Sequence, residues 1–207
     1  MLERLQHMVA EQEFTSQELA EVVQGGIFVH PHSQPMRVLS RLFQASRHLQ
    51  AVRGRLVSLK QALQLVGGKT LESQATENAQ DVIGLRQAIW ECAHQAEESI
   101  AGWMNQAYDE VVWVDIAAKV QEWMDTLREF SEQLPNDAVV DGVRARVAKF
   151  HRLITCLQPM YKPEVTFEHW TYLFAALAMD LTPKPPAPTV RKLQVQPACV
   201  CLRWHCV

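Results

Sequence analysis

Apolar side chains recur along most of this chain at alternating steps of three and four residues, the spacing that lines up one face of an α-helix. Leu2, Leu5 and Val9 begin a short helix, and Thr15 followed by Glu18 has the form of a capping box opening a second. Gly25-Gly26 stops that second helix, and the stretch from Pro31 to Pro35 reads as a loop. From about 36 to 66 the pattern is most regular. Leu42, Leu49, Leu56 and Leu63 share one heptad position, and Ala45, Val52, Leu59 and Val66 share the other. Gly54 falls at the outermost position, where it is tolerable. Arg53, Arg55 and Lys60 flank the stripe with no acid among them. A parallel homodimer would bring those like charges together, so an acidic partner helix suits them better, and the next segment offers one.

That fourth segment, about 71 to 108, opens at Thr70 and has no clear stop before Asp115. Its stripe is Ala75, Ala79, Val82, Ile89, Ala93, Ala96, Ile100, Trp103 and Ala107, interrupted only by Arg86. The many alanines would let a neighbour approach closely. Asp115 is a good N-cap for a fifth helix with Ile116, Val120, Trp123, Leu127 and Phe130 inward, which Pro135 and Asn136 break. A sixth, 137 to 157, repeats Val140, Val143, Val147, Phe150, Ile154 and Leu157 in unbroken three-four order. Pro159 ends it, and Pro163 opens a seventh through about residue 180. Ile27-Phe28-Val29 is too short for a strand, and nothing else alternates with period two. The predicted fold is all-α: an elongated antiparallel helical bundle of about six or seven helices with a disordered C-terminal tail.

Composition narrows the class. The 207 residues are 48% hydrophobic and 21% charged with only 8 Gly, enough apolar material for a core and no basis for a collagen-like or wholly disordered chain. No apolar run approaches the roughly 18 residues of a membrane span. Glu3 and Arg4 lie inside the first amphipathic segment, so no secretory leader is expected, and the five cysteines are expected to be reduced cytosolic thiols. Charge divides the chain. All 23 acids and 16 of the 20 Lys and Arg precede residue 181, leaving residues 1–180 at −7 and the last 27 at +4. The acidic body argues against nucleic-acid binding, which needs a concentrated basic face. The basic end also holds five of the ten prolines and three of the five cysteines.

Candidate chemistry is sparse. Gly68-Lys69-Thr70 resembles the end of a phosphate-binding loop, but Leu63 stands where that loop needs its first Gly and no strand precedes it. A Gly-Gly helix stop followed by a Thr N-cap accounts for it. Cys199, Cys201, His205 and Cys206 could attract a soft metal, yet all four fall within eight residues and two are adjacent, which strains a tetrahedron. The ending Trp204-His205-Cys206-Val207 places its Cys wrongly for prenylation. His30 and His32 flank Pro31 in a loop with no acid or Cys beside them. Cys92 and His94, two apart on a helix, point to different sides. Cys156 lies off its helix's stripe, and Glu97 and Glu98 read as a solvated face. No catalytic, cofactor-binding or metal-binding residue is assigned, and the tryptophans read as packing residues.

One stretch says more. Leu85 and Trp90 on a long helix, Trp113 two residues before Asp115, and Leu157 before the pair His169-Trp170 form an ordered series over about half of the chain. The series resembles the start of the linker region of dynein heavy chains, the segment between tail and motor ring. Glu168 stands where dyneins usually carry Arg before His-Trp, and the loop Gln158 to Pro163 is unusual. These departures look more like the divergent dynein-heavy-chain-domain-containing proteins than an ordinary axonemal or cytoplasmic dynein.

The resemblance implies three regions: a tail-like helical segment 1–70, a linker-like segment 71–182 and a Pro- and Cys-containing disordered tail 183–207. It implies a truncated, non-enzymatic structural fragment associated with dynein-type microtubule-based movement and lacking the ATPase ring, with no cofactor. Residues 183–207 would be an alternative or read-through ending. Protein partners such as dynein complex subunits are expected, with no nucleic acid, membrane or small-molecule substrate. The expected location is cytoplasmic, at the cytoskeleton or axoneme. Trp90, Trp103, Trp113, Trp123, Phe150 and Trp170 are expected to carry the packing. The competing expectation is an independent coiled-coil or spectrin-like adaptor that binds a partner helix through the Leu42 to Val66 stripe.

Overall fold

The computed structural model describes residues 1–68, 74–107, 110–157 and 190–191. They form five α-helices, α1 (Leu2–Val23), α2 (Pro35–Leu65), α3 (Gln74–Asn105), α4 (Trp113–Gln133) and α5 (Ala138–Leu157), with a 3-10 turn at Gly26–Phe28. The described residues divide into two units. The first holds Met1–His94 with Leu134–Asp141; the second holds Gln95–Gln133 and the residues from Gly142 onward.

In the first unit α1 lies along α2. Val9 of α1 and Val52, Leu56 and Leu63 of α2 form a buried cluster with Leu5 and Leu59 packed against it. The sense is antiparallel, because Leu2 at the start of α1 lies beside Gly68, just past the end of α2. Leu42, Leu49, Leu56 and Leu63 are all buried. The leucine repeat is therefore spent inside the chain and is no open zipper seam, which removes the surface the adaptor expectation needed.

Two short N-terminal helices were expected and one continuous helix is found. Thr15 Oγ1 donates to the Glu11 carbonyl one turn back, as a helix-interior threonine does, and so does not cap a new start. That merger, and the position of the expected seventh helix outside the described residues, bring the count to five. Asp115 does not cap α4 either. The helix begins two residues earlier at Trp113, and Asp115 sits in its first turn, where a carboxylate favours the positive end of the helix dipole.

Other boundaries follow from local chemistry. Pro35 occupies the first helical position of α2, where its missing N–H costs nothing. At the far end Gly67 takes φ +73°, the Gly68 N–H donates to the Leu63 carbonyl and the Gly67 N–H to that of Gln64. This is the Schellman arrangement. A Cβ at Gly68 would lie 2.9 Å from Leu2 Cδ1, so the Leu2 side chain packs closely over this helix end. Asp137 caps α5: its Oδ1 accepts from the N–H groups of Val139 and Val140.

In the second unit every residue of the two predicted inward stripes that belongs to it is buried: Ile116, Val120, Trp123, Leu127 and Phe130 on α4, and Val143, Val147, Phe150, Ile154 and Leu157 on α5. The four-residue turn between the helices and the bond from Arg144 on α5 to Ser131 on α4 make them an antiparallel hairpin. Val190, which lies within the region expected to be a disordered tail, is buried, and its N–H donates to the Gln106 carbonyl.

Candidate functional site

The features that could carry function here are joints between helices. In the first unit, Trp90 on α3 is only 1% exposed, and its Nε1–H donates to the Phe28 carbonyl at 2.9 Å. A fully buried indole fixes a loop to a helix only if that N–H finds an acceptor, and the 3-10 turn supplies it. One helical turn earlier, Arg86 interrupts the apolar stripe of α3. It is held by Asp137 Oδ2 at 2.5 Å, with both side chains 8% exposed. Asp137 thus uses one oxygen to cap α5 and the other to neutralise a buried guanidinium. Removing either partner would strand a charge or an orphan helix end.

Two lighter contacts accompany these joints. The buried hydroxyls of Ser16 on α1 and Thr76 on α3 lie 3.1 Å apart. Arg53 on α2 reaches Gln80 on α3 at 2.9 Å. The partner of Arg53 is therefore an amide of α3, while α1 covers the Val52, Leu56 and Leu63 part of the stripe.

The second unit is joined by rings. The Trp103 centroid lies 5.6 Å from that of Trp123, tilted by 35°, and 5.7 Å from that of Phe150, nearly parallel at 13°. Three helices, α3, α4 and α5, thus meet at one aromatic cluster, and a favourable aromatic pair adds about 0.5–1.5 kcal/mol beyond burial. The Lys119 ammonium lies 5.9 Å from the Trp123 ring centroid and pairs with Glu122 at 2.8 Å. Arg146 on α5 pairs with Glu97 on α3. Partial burial lowers the Arg146 pKa from its ordinary value. A guanidinium nevertheless stays protonated at working pH, so this contact is no titrating switch.

Of the residues expected to carry packing, Trp90, Trp113, Trp123 and Phe150 are buried and Trp103 is half-buried. Trp170 lies outside the described residues, as do Lys69, Thr70, Cys199, Cys201, His205 and Cys206. Gly68 belongs to the helix stop. His30 and His32 stand edge to face, 5.7 Å between centroids, in an exposed loop. Among the described residues no group of three or more His, Cys, Asp and Glu is placed to hold a metal ion, and no helix is long and apolar enough to cross a membrane.

The Arg86–Asp137 pair was missed from sequence. Its signal was present, since an arginine inside an otherwise apolar stripe requires a carboxylate. The sequence offers many carboxylates, and only the fold selects the one 51 residues away.

Residues 76–195, more than half of the chain, match the family described as dynein heavy chain, N-terminal region 2. The residues of the ordered series, Leu85, Trp90, Trp113, Asp115, Leu157, His169 and Trp170, all fall inside that match, which continues past residue 182. No curated protein matches the chain.

Proposed function

The chain belongs to the dynein heavy chain family through its N-terminal region 2, and from that premise we propose that residues 76–195 act as a non-catalytic linker segment. Their work is mechanical: closely packed helices pass displacement along the heavy chain during dynein-type microtubule-based movement. The observation that supports this most is the Trp103, Trp123 and Phe150 cluster, which ties three helices at one point with side chains that have few rotamers to exchange. Such a joint resists shear better than a seam of flexible aliphatics. Partners are other protein subunits of a dynein complex, the location is the cytoskeleton, and no cofactor or small-molecule substrate takes part.

A chimeric dynein heavy chain tests this directly. Residues 76–157 would replace the corresponding linker segment of an active motor, and microtubule gliding and ATP turnover would be measured together. Gliding should persist with the native segment. It should fail with Trp103→Ala plus Trp123→Ala while ATP turnover of the ring continues. Gliding indifferent to the paired substitution would refute a mechanical role for the cluster.

A further inference from the structure

α2 has a second face. Between Pro35 and Leu65 it carries Arg37, Arg41, Arg47, Arg53, Arg55 and Lys60 and no Asp or Glu. Its buried stripe faces α1, but Met36, Phe43 and Val57 are 61%, 53% and 50% exposed. These three are separated by whole heptads, and seven residues advance almost two turns, so they form one shallow row about 30 Å long. Gly54 lies five turns beyond Met36 on the same line, and a Cβ built there meets nothing within 4 Å. Arg47 falls in the row, and Arg37 and Arg55 lie along one flank. Among the described residues Arg37, Arg41, Arg47 and Arg55 make no ion pair or side-chain hydrogen bond.

We propose that this outer face of α2 docks an acidic amphipathic helix from a partner protein. A narrow apolar row edged by unneutralised arginines has the width of one helix, and Gly54 lets a backbone come close. Charge decides the occupant. A second copy of α2 would oppose six cations with six, which disfavours self-association. A membrane would ask for a broad apolar face, and here Gln50 and Gln61 interrupt the row while α1 already covers the opposite side. A helix with a short apolar seam and glutamates beside it satisfies both the row and its rim. The face lies before residue 76 and so outside the family match.

The test uses the full chain and a synthetic four-heptad helix with Leu at a and d and Glu at e and g, beside a counterpart with Lys at e and g. Fluorescence anisotropy should show saturable binding of the Glu helix, weakened by added salt, and none of the Lys helix. Phe43→Asp should weaken binding about tenfold or more, with the helical circular dichroism unchanged because Phe43 is exposed. Arg47→Glu with Arg55→Glu should move the preference toward the Lys helix, which a structural defect would not do. Equal binding of the two helices, no binding of either, or self-association that depends on Phe43 would overturn the proposal. So would capture by phosphatidylserine vesicles that Phe43→Asp abolishes while the Glu helix stays unbound.

Discussion

Between α1 and α2 the buried contacts are aliphatic, with Val9, Val52, Leu56 and Leu63 repeating along the seam. Around Trp103 they are aromatic and gathered at one point. The polar contacts differ in the same way. The first unit buries its ion pair, Arg86 with Asp137, and its indole N–H bond from Trp90. In the second the pairs Lys119–Glu122, Arg128–Asp125 and Arg146–Glu97 stay at least partly open to water. An aliphatic repeat spreads its energy over many similar side chains along one seam, while the buried polar bonds act elsewhere in the unit, as a lock of α3 onto the start of α5 and onto the 3-10 turn. A ring cluster is already unique in shape. It needs no such lock, and exposed pairs at its rim contribute little.

Substitutions can break this contrast, read by denaturant titration of the full chain. The largest effect should come from Asp137→Ala, at about 3–5 kcal/mol for the stranded buried guanidinium with about 1 kcal/mol more for the lost cap. Combining Arg86→Met with Asp137→Ser restores a cap and removes the charge, and should return most of that loss. If the double variant is as unstable as Asp137→Ala, the cost does not lie in the unpaired charge. Next is Trp123→Ala, expected at about 3–5 kcal/mol because a buried indole leaves a cavity. A loss below about 1 kcal/mol would show that the aromatic cluster is not a point of concentrated energy.

Smaller effects sharpen the picture of the boundaries. Gly67→Ala should cost about 1–2 kcal/mol, since its φ of +73° crowds the alanine Cβ against the following carbonyl oxygen. Thr15→Ala should change stability by less than about 0.5 kcal/mol, because its hydroxyl bonds back within a continuous helix. A cap at that position would instead lose about 1 kcal/mol.

Legibility from sequence followed amphipathicity. α4 and α5 alternate large apolar and charged residues cleanly, and their stripes were read residue by residue. The leucine repeat of α2 was equally plain, but periodicity gives the buried face without naming what covers it, and α1 over Val52, Leu56 and Leu63 was not foreseen. In α3 the alanines blurred the stripe. Ile83 and Trp90, both buried, lie beside the line drawn through Val82 and Ile89. The Thr15–Glu18 pair misled because a capping box and a threonine inside a helix share the same letters, and only backbone continuity separates them. The ring cluster was foreseen as packing but not as a meeting of three helices, since its members come from positions 103, 123 and 150 and nothing local links them.

If the linker-family residues work mechanically, the joint of α3, α4 and α5 must be stiff and tightly packed. Hydrogen–deuterium exchange of the full chain, native and Trp123→Ala, measures this most directly. Buried amides of α4 and α5 near Trp123 and Phe150 should exchange only through global opening in the native chain, and lose most of that protection in the variant. Rapid exchange of α4 and α5 in the native chain, or protection unchanged by Trp123→Ala, would contradict it.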